Sequence, residues 1–255
     1  VEVGKNISSK RRNERVWIWN GAWNRAFGTA AEYICLPADQ AVKMPSSMSF
    51  EHGACLGIPG LTAAQLICMQ SNIEEKTIFI SGGNGAVGHL AIQLAKYRGA
   101  QIIATARAGK VKKLKDLGAD FVLDYADPEL DKKVLECAPN GVDYAVEVEF
   151  GENINIIPKI MRTMGTVSIY GSGKNMNPQF PFGEYLFKSL TLNMILVYLM
   201  PTPLRKRLIK IIHDAYVKHA LFPSIDSIYE LGDCAKAHEQ VMKPGRNGTV
   251  LIKID

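Results

Sequence analysis

Between Thr77 and Tyr170, short apolar runs alternate with amphipathic segments about five times, and this alternation constrains the fold more than any other feature. The runs are Thr77-Ile78-Phe79-Ile80, 101–105 (QIIAT), Phe121-Val122-Leu123, 143–148 and 166–170. They show little polar alternation, as strands buried on both faces of a parallel sheet do. Between them, apolar residues recur at helical spacing. Val87, Leu90, Ala91, Leu94 and Ala95 share a face of 85–98, and Val111, Leu114 and Leu117 mark a second helix. Asp127 caps a third over 128–137, with Pro128 in its first position. Ile154, Ile157, Ile160, Met161 and Met164 line a fourth. Gly99, Gly118 and Gly165 stop three of these helices. Parallel neighbours need crossover helices, so the pattern predicts an α/β fold with a doubly wound parallel sheet. The flanks differ. AEYICLP (31–37) and the opening Val1-Glu2-Val3-Gly4 read as β, and 222 onward reads as a loop, a helix over 231–242 and a strand over 249–254.

The first strand runs into Ser81-Gly82-Gly83-Asn84-Gly85-Ala86-Val87-Gly88 and then a helix. Gly82, Gly85 and Gly88 have the spacing that lets a backbone turn tightly and present N–H groups and a helix N-terminus to a pyrophosphate. The competing reading is a plain tight strand-to-helix turn. The second strand bears on which dinucleotide fits. An NAD site places an acidic residue about twenty residues past the glycines. Here no acidic residue falls between Tyr97 and Lys115, and Arg107, Lys110, Lys112 and Lys113 do. Guanidinium and ammonium groups pair with a 2′-phosphate, which a carboxylate repels, so NADPH is favoured over NADH. Lys112 or Lys113 decorating a solvated helix is the alternative for that pair.

The remaining composition mostly excludes. With 47% hydrophobic residues in 255, the chain is long enough for a large core, and it is neither disordered nor collagen-like. Its longest dense apolar run, 190–200, is too short to span a membrane. Five cysteines without a CxxC pair suit reduced thiols in a cytoplasmic protein. A mitochondrial location stays open because the chain begins with Val1 rather than Met. Residues 1–30 and 204–219 each carry a net charge of +4. Such patches attract polyanions, nucleic acid among them, but a solvated loop and a solvated helix face explain them better, and no aromatics interleave. His52, His89, His213, His219 and His238 show no metal spacing, and His89 and His238 fall on helices as packing or capping residues. No nucleophile triad or carboxylate pair stands out.

With these motifs in hand, the chain resembles the zinc-free quinone oxidoreductases of the medium-chain dehydrogenase/reductase superfamily, near the zeta-crystallin group. The matching stretches are AEYICLPADQAVKMPSSMSFEHGACLGIPGLTA, ISGGNGAVGHLAIQLAKYRGAQIIATA, LGADFVLDY, GVDYAVEV and AHEQVMKPGRNGTVLI, in that order. The resemblance implies a Rossmann-type doubly wound parallel sheet plus an incomplete GroES-like β domain. The implied division is 1–47 as a remnant of the GroES-like domain, 48–219 as the NADPH-binding domain, and 220–255 as the return to the first domain. It implies that Gly82, Asn84, Gly85, Ala86, Val87 and Gly88 wrap the pyrophosphate. Arg107 and Lys110 would meet the 2′-phosphate, with Tyr125 beside them. Thr62 would face the nicotinamide. Ser168, Ile169, Tyr170 and Gly171 would lie under its ribose, and Met194 and Ile195 would flank its carboxamide. Tyr125 and Tyr170 serve equally well as packing residues. Met194 departs from the family's usual small residue there and narrows the site. Zinc relatives place a ligand in the GIPGLTA stretch, where this chain has Ile58, and Cys55 reads as core.

The implied activity is transfer of a hydride or electron from NADPH to a quinone or other small electrophilic acceptor. The catalytic residues of that family precede Val1, so none is named. An enone or 2-enoyl reductase is the same-class alternative. A weakly catalytic NADPH-binding protein with an RNA-binding or structural role is the alternative from another class. A homo-oligomer is compatible with each.

Overall fold

The computed structural model describes residues 2–107, 109–243 and 245–254. Among these described residues there are ten strands: β1 Val16–Ile18, β2 Ala41–Lys43, β3 Thr77–Ile80, β4 Gln101–Ala106, β5 Phe121–Asp124, β6 Val142–Glu147, β7 Met161–Ile169, β8 Thr191–Met194, β9 Ile225–Glu230 and β10 Thr249–Lys253. Six of them form one sheet in the order β5-β4-β3-β6-β7-β8, and every pair is parallel. The order in which successive strands are added reverses between β3 and β6, the switch point of a doubly wound dinucleotide fold. The expected α/β class is therefore present.

Side-chain alternation along the strands feeds two cores. Ile78, Ile80, Ile102, Ala104, Tyr144 and Val146 point to one face, where helices Leu61–Cys68, Gly88–Tyr97 and Thr202–Val217 pack. Phe79, Ile103, Ala145 and Val167 point to the other, under helices Leu130–Cys137, Ile157–Ile160 and Phe182–Phe187. Both faces being covered explains why these strands are almost wholly apolar.

The amino-terminal flank joins the first of these cores. Trp17 and Trp19 are buried with Met44 and Met48 against it. The Trp17 indole donates to His213 Nε2 at 3.0 Å, and buried Arg205 lies 4.2 Å over the Trp19 ring while pairing with Asp39. Arg11, Arg15 and Arg25 bind backbone carbonyls within the flank. Several cations of both basic patches are thus engaged in structural bonds. No described helix is long and apolar enough to cross a membrane.

The carboxy-terminal flank is fastened through helix Gly88–Tyr97. Gln93 exchanges two hydrogen bonds with the Phe222 backbone, at 2.8 and 3.0 Å. His89 is fully buried; its Nδ1 donates to Gly85 O and its Nε2 accepts from Ser224 N–H, both at 2.8 Å. That pairing requires the neutral ring, and burial holds its pKa down at about 4. As pH falls below 6.5, unfolded chains take up a proton that the folded chain refuses until about pH 4. Stability should therefore decline by about 2 kcal/mol between pH 7 and pH 5 from this group. Denaturant titrations at both pH values should show a shallower decline in His89→Gln; equal slopes would defeat the assignment.

Several local expectations are corrected. Residues 31–37 and Glu2–Gly4 form no strand, and Val1 lies outside the described residues. The helix expected through Met164 ends at Ile160, and Met161 instead opens β7 opposite Val142. Met164 is exposed with φ 60°. The helix expected from 128 begins at Leu130, although the Asp127 carboxylate does accept from Glu129 N–H. The helix expected from 85 begins at Gly88, because 82–87 is turn. Residues 225–230, read as loop, form β9 beside β10.

Candidate functional site

Because the six strands are parallel, every loop that leaves a C-terminal end emerges along one edge of the sheet. In spatial order these are Tyr125 after β5, Arg107 after β4, the glycine loop after β3, Val148 after β6, Tyr170 and Gly171 after β7, and Ile195 after β8. At about 4.8 Å per strand, the row from β4 to β8 is about 20 Å long. The sequence-expected residues are thus gathered along one edge from five separate stretches of chain (82–88, 107–110, 125, 168–171 and 194–195), while Thr62 lies on helix Leu61–Cys68.

At its centre, Gly82 takes φ +66° and its N–H meets Thr105 Oγ1 at 3.2 Å. Gly83 N–H donates to Thr105 O at 2.8 Å, which pins the loop to β4. Gly88 must lack a side chain, since a Cβ there would lie 2.2 Å from Gly82 O. The amides of Asn84, Ala86, Val87 and Gly88 have no hydrogen-bond partner among the described residues. Four open donors at the start of a ten-residue helix fit an oxyanion of the pyrophosphate type. The Asn84 side chain turns away from that opening. It donates to Arg246 O and to Asn247 Oδ1, and its own buried Oδ1 has no partner. Asn84 therefore offers the loop its backbone, while its amide fastens the carboxy-terminal segment 246–247.

Basic side chains gather at one end of the row. Exposed Arg107 donates through Nε to the Tyr125 hydroxyl at 2.7 Å, and its terminal nitrogens have no partner among the described residues. Lys110 precedes the helix Val111–Asp116. Lys112 pairs with Asp116 at 2.8 Å on the outer face. Lys113 is half-buried, donates to Asn247 O at 3.2 Å, and has its pKa lowered first by burial and then by Lys110. Of the two lysines with an alternative reading, only Lys112 is solvent decoration.

The other end is apolar. Ser168 and Ile169 are buried on β7, Tyr170 is half-buried, and a Cβ on Gly171 would meet Val148 O at 2.6 Å. Ile195 N–H donates to Ile169 O at 2.8 Å, while Met194 is 69% exposed beside it. The Thr62 hydroxyl donates to Ile58 O at 2.8 Å, in the helical turn Leu56–Gly60 that leads into its helix.

One residue of this edge was missed in the sequence. Glu147 ends β6 fully buried, with Ser81 Oγ donating to its Oε1 at 2.9 Å. Burial raises its pKa. A carboxylate flanked by valines at the end of the otherwise apolar run Tyr144-Ala145-Val146-Glu147-Val148 was the available signal.

Metal ligands do not assemble. Among the described residues no group of three or more His, Cys, Asp and Glu side chains is placed to hold an ion. Cys55 is fully buried, and burial pushes its thiol up to about 11, unsuited to a thiolate ligand.

A family model described as zinc-binding dehydrogenase matches residues 86–214, half of the 255-residue chain. The chain belongs to this family, within the medium-chain dehydrogenase/reductase superfamily. Among its relatives in that family, a chloroplast envelope quinone oxidoreductase homolog of Arabidopsis thaliana is 31% identical over 200 residues, 70% of this chain and 60% of that protein. The mitochondrial NAD(P)H oxidoreductase RTN4IP1 of Drosophila melanogaster is 25% identical over 89% of this chain and 60% of its own length. A quinone oxidoreductase structure from Pseudomonas syringae aligns with TM-score 0.77 at 26% identity, over 86% of this chain and 69% of that one. The chain spans 60% of the length of the two curated relatives. The family resemblance read from the motifs is therefore borne out.

Proposed function

We propose that this dehydrogenase-family chain binds NADPH along the C-terminal edge of the sheet and passes a hydride or an electron from it to a quinone or similar small electrophilic acceptor. The carrying observation is the set of open amides at Asn84, Ala86, Val87 and Gly88, one strand away from the unpartnered guanidinium end of Arg107. The amides receive the pyrophosphate, and Arg107 with Lys110 receives the 2′-phosphate beside Tyr125. When bound, the nicotinamide supplies the reducing equivalent. The chain supplies position and water exclusion. Gly171 lets the chain leaving β7 pass close to Val148, Ser168 and Ile169 support the ribose, and Ile195 and Met194 wall the acceptor side. Thr62 contributes the buried end of its helix to the same wall, its hydroxyl held by Ile58 O. Residues 48–219 form the cofactor domain in this reading, and 1–47 with 220–255 form the second lobe. The quinone oxidoreductase names among the relatives support the acceptor class.

Titration of NADPH and NADH by nicotinamide fluorescence tests the cofactor half, with NADPH expected to bind at least tenfold tighter. NADPH oxidation by 9,10-phenanthrenequinone tests the acceptor half. Turnover of a simple enone without turnover of the quinone would move the acceptor to the 2-enoyl class.

A further inference from the structure

Glu147 sits at the switch point of the sheet, on the strand next to β3, and its two carboxyl oxygens live in different surroundings. Oε1 accepts from Ser81 Oγ at 2.9 Å, Glu149 N–H at 2.6 Å and Asn153 Nδ2 at 3.0 Å. Oε2 is buried and meets no hydrogen-bond partner of good geometry among the described residues, although the Val148 N–H lies close enough to favour the ionised form. The charged and titratable groups around it are Glu149 on the following loop, Tyr170 after β7 and Tyr185 on helix Phe182–Phe187. The loop after β3 contributes the Ser81 hydroxyl and helix Phe150–Asn153 the Asn153 amide, while Glu152 on that helix is exposed. No Lys, Arg or His among the described residues pairs with it. Burial raises the pKa of both tyrosines, and the nearby Glu147 carboxylate adds to the rise.

This carboxyl is joined to the glycine loop at two points. Ser81 immediately precedes the loop, and Val148 lies where a Cβ on Gly82 would meet it at 2.9 Å. An ionised, unpaired carboxylate so placed is disfavoured by burial, and a pyrophosphate arriving on the loop adds negative charge in a medium that screens poorly. We propose that Glu147 is a positioning residue that works in its neutral form: dinucleotide binding draws one proton from solvent onto Oε2, while Oε1 goes on holding Ser81, Glu149 and Asn153. The proposal rests on the dinucleotide reading of the loop.

The experiment is NADPH affinity between pH 7 and pH 9 for the wild type and Glu147→Gln, together with binding heats in two buffers of different ionisation enthalpy. Gln keeps a carbonyl for the three donors and is neutral throughout. The wild type should weaken with rising pH, toward tenfold per unit at the alkaline end, and should take up protons on binding. Glu147→Gln should lose that part of the pH dependence, bind at least tenfold tighter than the wild type at pH 9, and take up none. Parallel pH profiles, weaker binding by Glu147→Gln at every pH, or no proton uptake by the wild type would each overturn the proposal. If the variant does not fold, the wild-type calorimetry decides alone. NADPH binding to neither protein would instead remove the dinucleotide reading, and this inference with it.

Discussion

Gly88→Ala should abolish measurable dinucleotide binding and lower the melting temperature by about 5–15 °C. The added methyl would sit 2.2 Å from Gly82 O, 2.8 Å from Gly83 Cα and 2.9 Å from Gly82 C. All three atoms are backbone, so no rotamer relieves the clash. Restoring ordinary contact requires the loop and the helix start to part by about 1 Å. That separation displaces the amides of Ala86, Val87 and Gly88, and it shifts Leu90 and Leu94, both fully buried. Overpacking of this kind costs about 2–4 kcal/mol, which in a domain of this size gives the stated fall in Tm. Loss of several aligned amide donors accounts for a weakening of binding by more than 100-fold. Gly232→Ala is the control, since nothing lies within 4 Å of its Cβ position; it should change stability by less than about 0.5 kcal/mol. A folded Gly88→Ala protein that binds NADPH like the wild type would show that the loop is an ordinary turn.

The sheet was readable because burial on both faces leaves a strand little room for polar residues. Thr77–Ile80 and Gln101–Ala106 announce themselves for that reason. β9 did not, because Asp226, Ser227 and Tyr229 interrupt it and it is only half-covered. Residues 31–37 failed in the opposite sense. They are apolar enough for a strand, but a strand needs a hydrogen-bonding neighbour, and no described segment pairs with them. Ile34 and Leu36 instead line a cavity of about 940 Å³ with Val3, Ile7 and Val16. At Met161 the helical period simply continued across an element boundary. Its burial comes from pairing with Val142 in the sheet, not from a helix face.

In the site, spacing located the glycines and the basic end, but it could not show which side chains face the opening. Asn84 lies in the loop and yet directs its amide to residues 246 and 247, more than 160 positions away. Lys112 and Lys113 are neighbours in sequence, but about 100° of helical rotation sends one to solvent and the other to the Asn247 carbonyl. Glu147 shows the same limit from the other direction. Its acid is obvious in the sequence, while the partners that make it matter come from Ser81 and Asn153.

Arg107→Ala should weaken NADPH about 100-fold and leave NADH within about threefold. The Tyr125 hydroxyl occupies only Nε of the guanidinium, at 2.7 Å, so both terminal nitrogens stay open in a fixed plane. A phosphate accepts such a fork through two charge-assisted bonds, each contributing about 1.5–3 kcal/mol, and part of this is lost to water at an exposed site. A net loss near 3 kcal/mol corresponds to about 100-fold. Lys110 and Lys113 remain, so the preference should shrink rather than invert. Tyr125→Phe keeps the charge but releases the guanidinium plane, and its effect on NADPH should be smaller, about three- to tenfold. The discrimination should also narrow as ionic strength rises, because Arg107 is exposed and its attraction is screened within about 10 Å at 0.1 M salt. Paired fluorescence titrations of both nucleotides at two salt concentrations measure all of this. An Arg107→Ala protein that loses NADPH and NADH equally would place the guanidinium on the part the two cofactors share, and the 2′-phosphate would then need another partner, for which half-buried Lys113 is already poised beside Lys110.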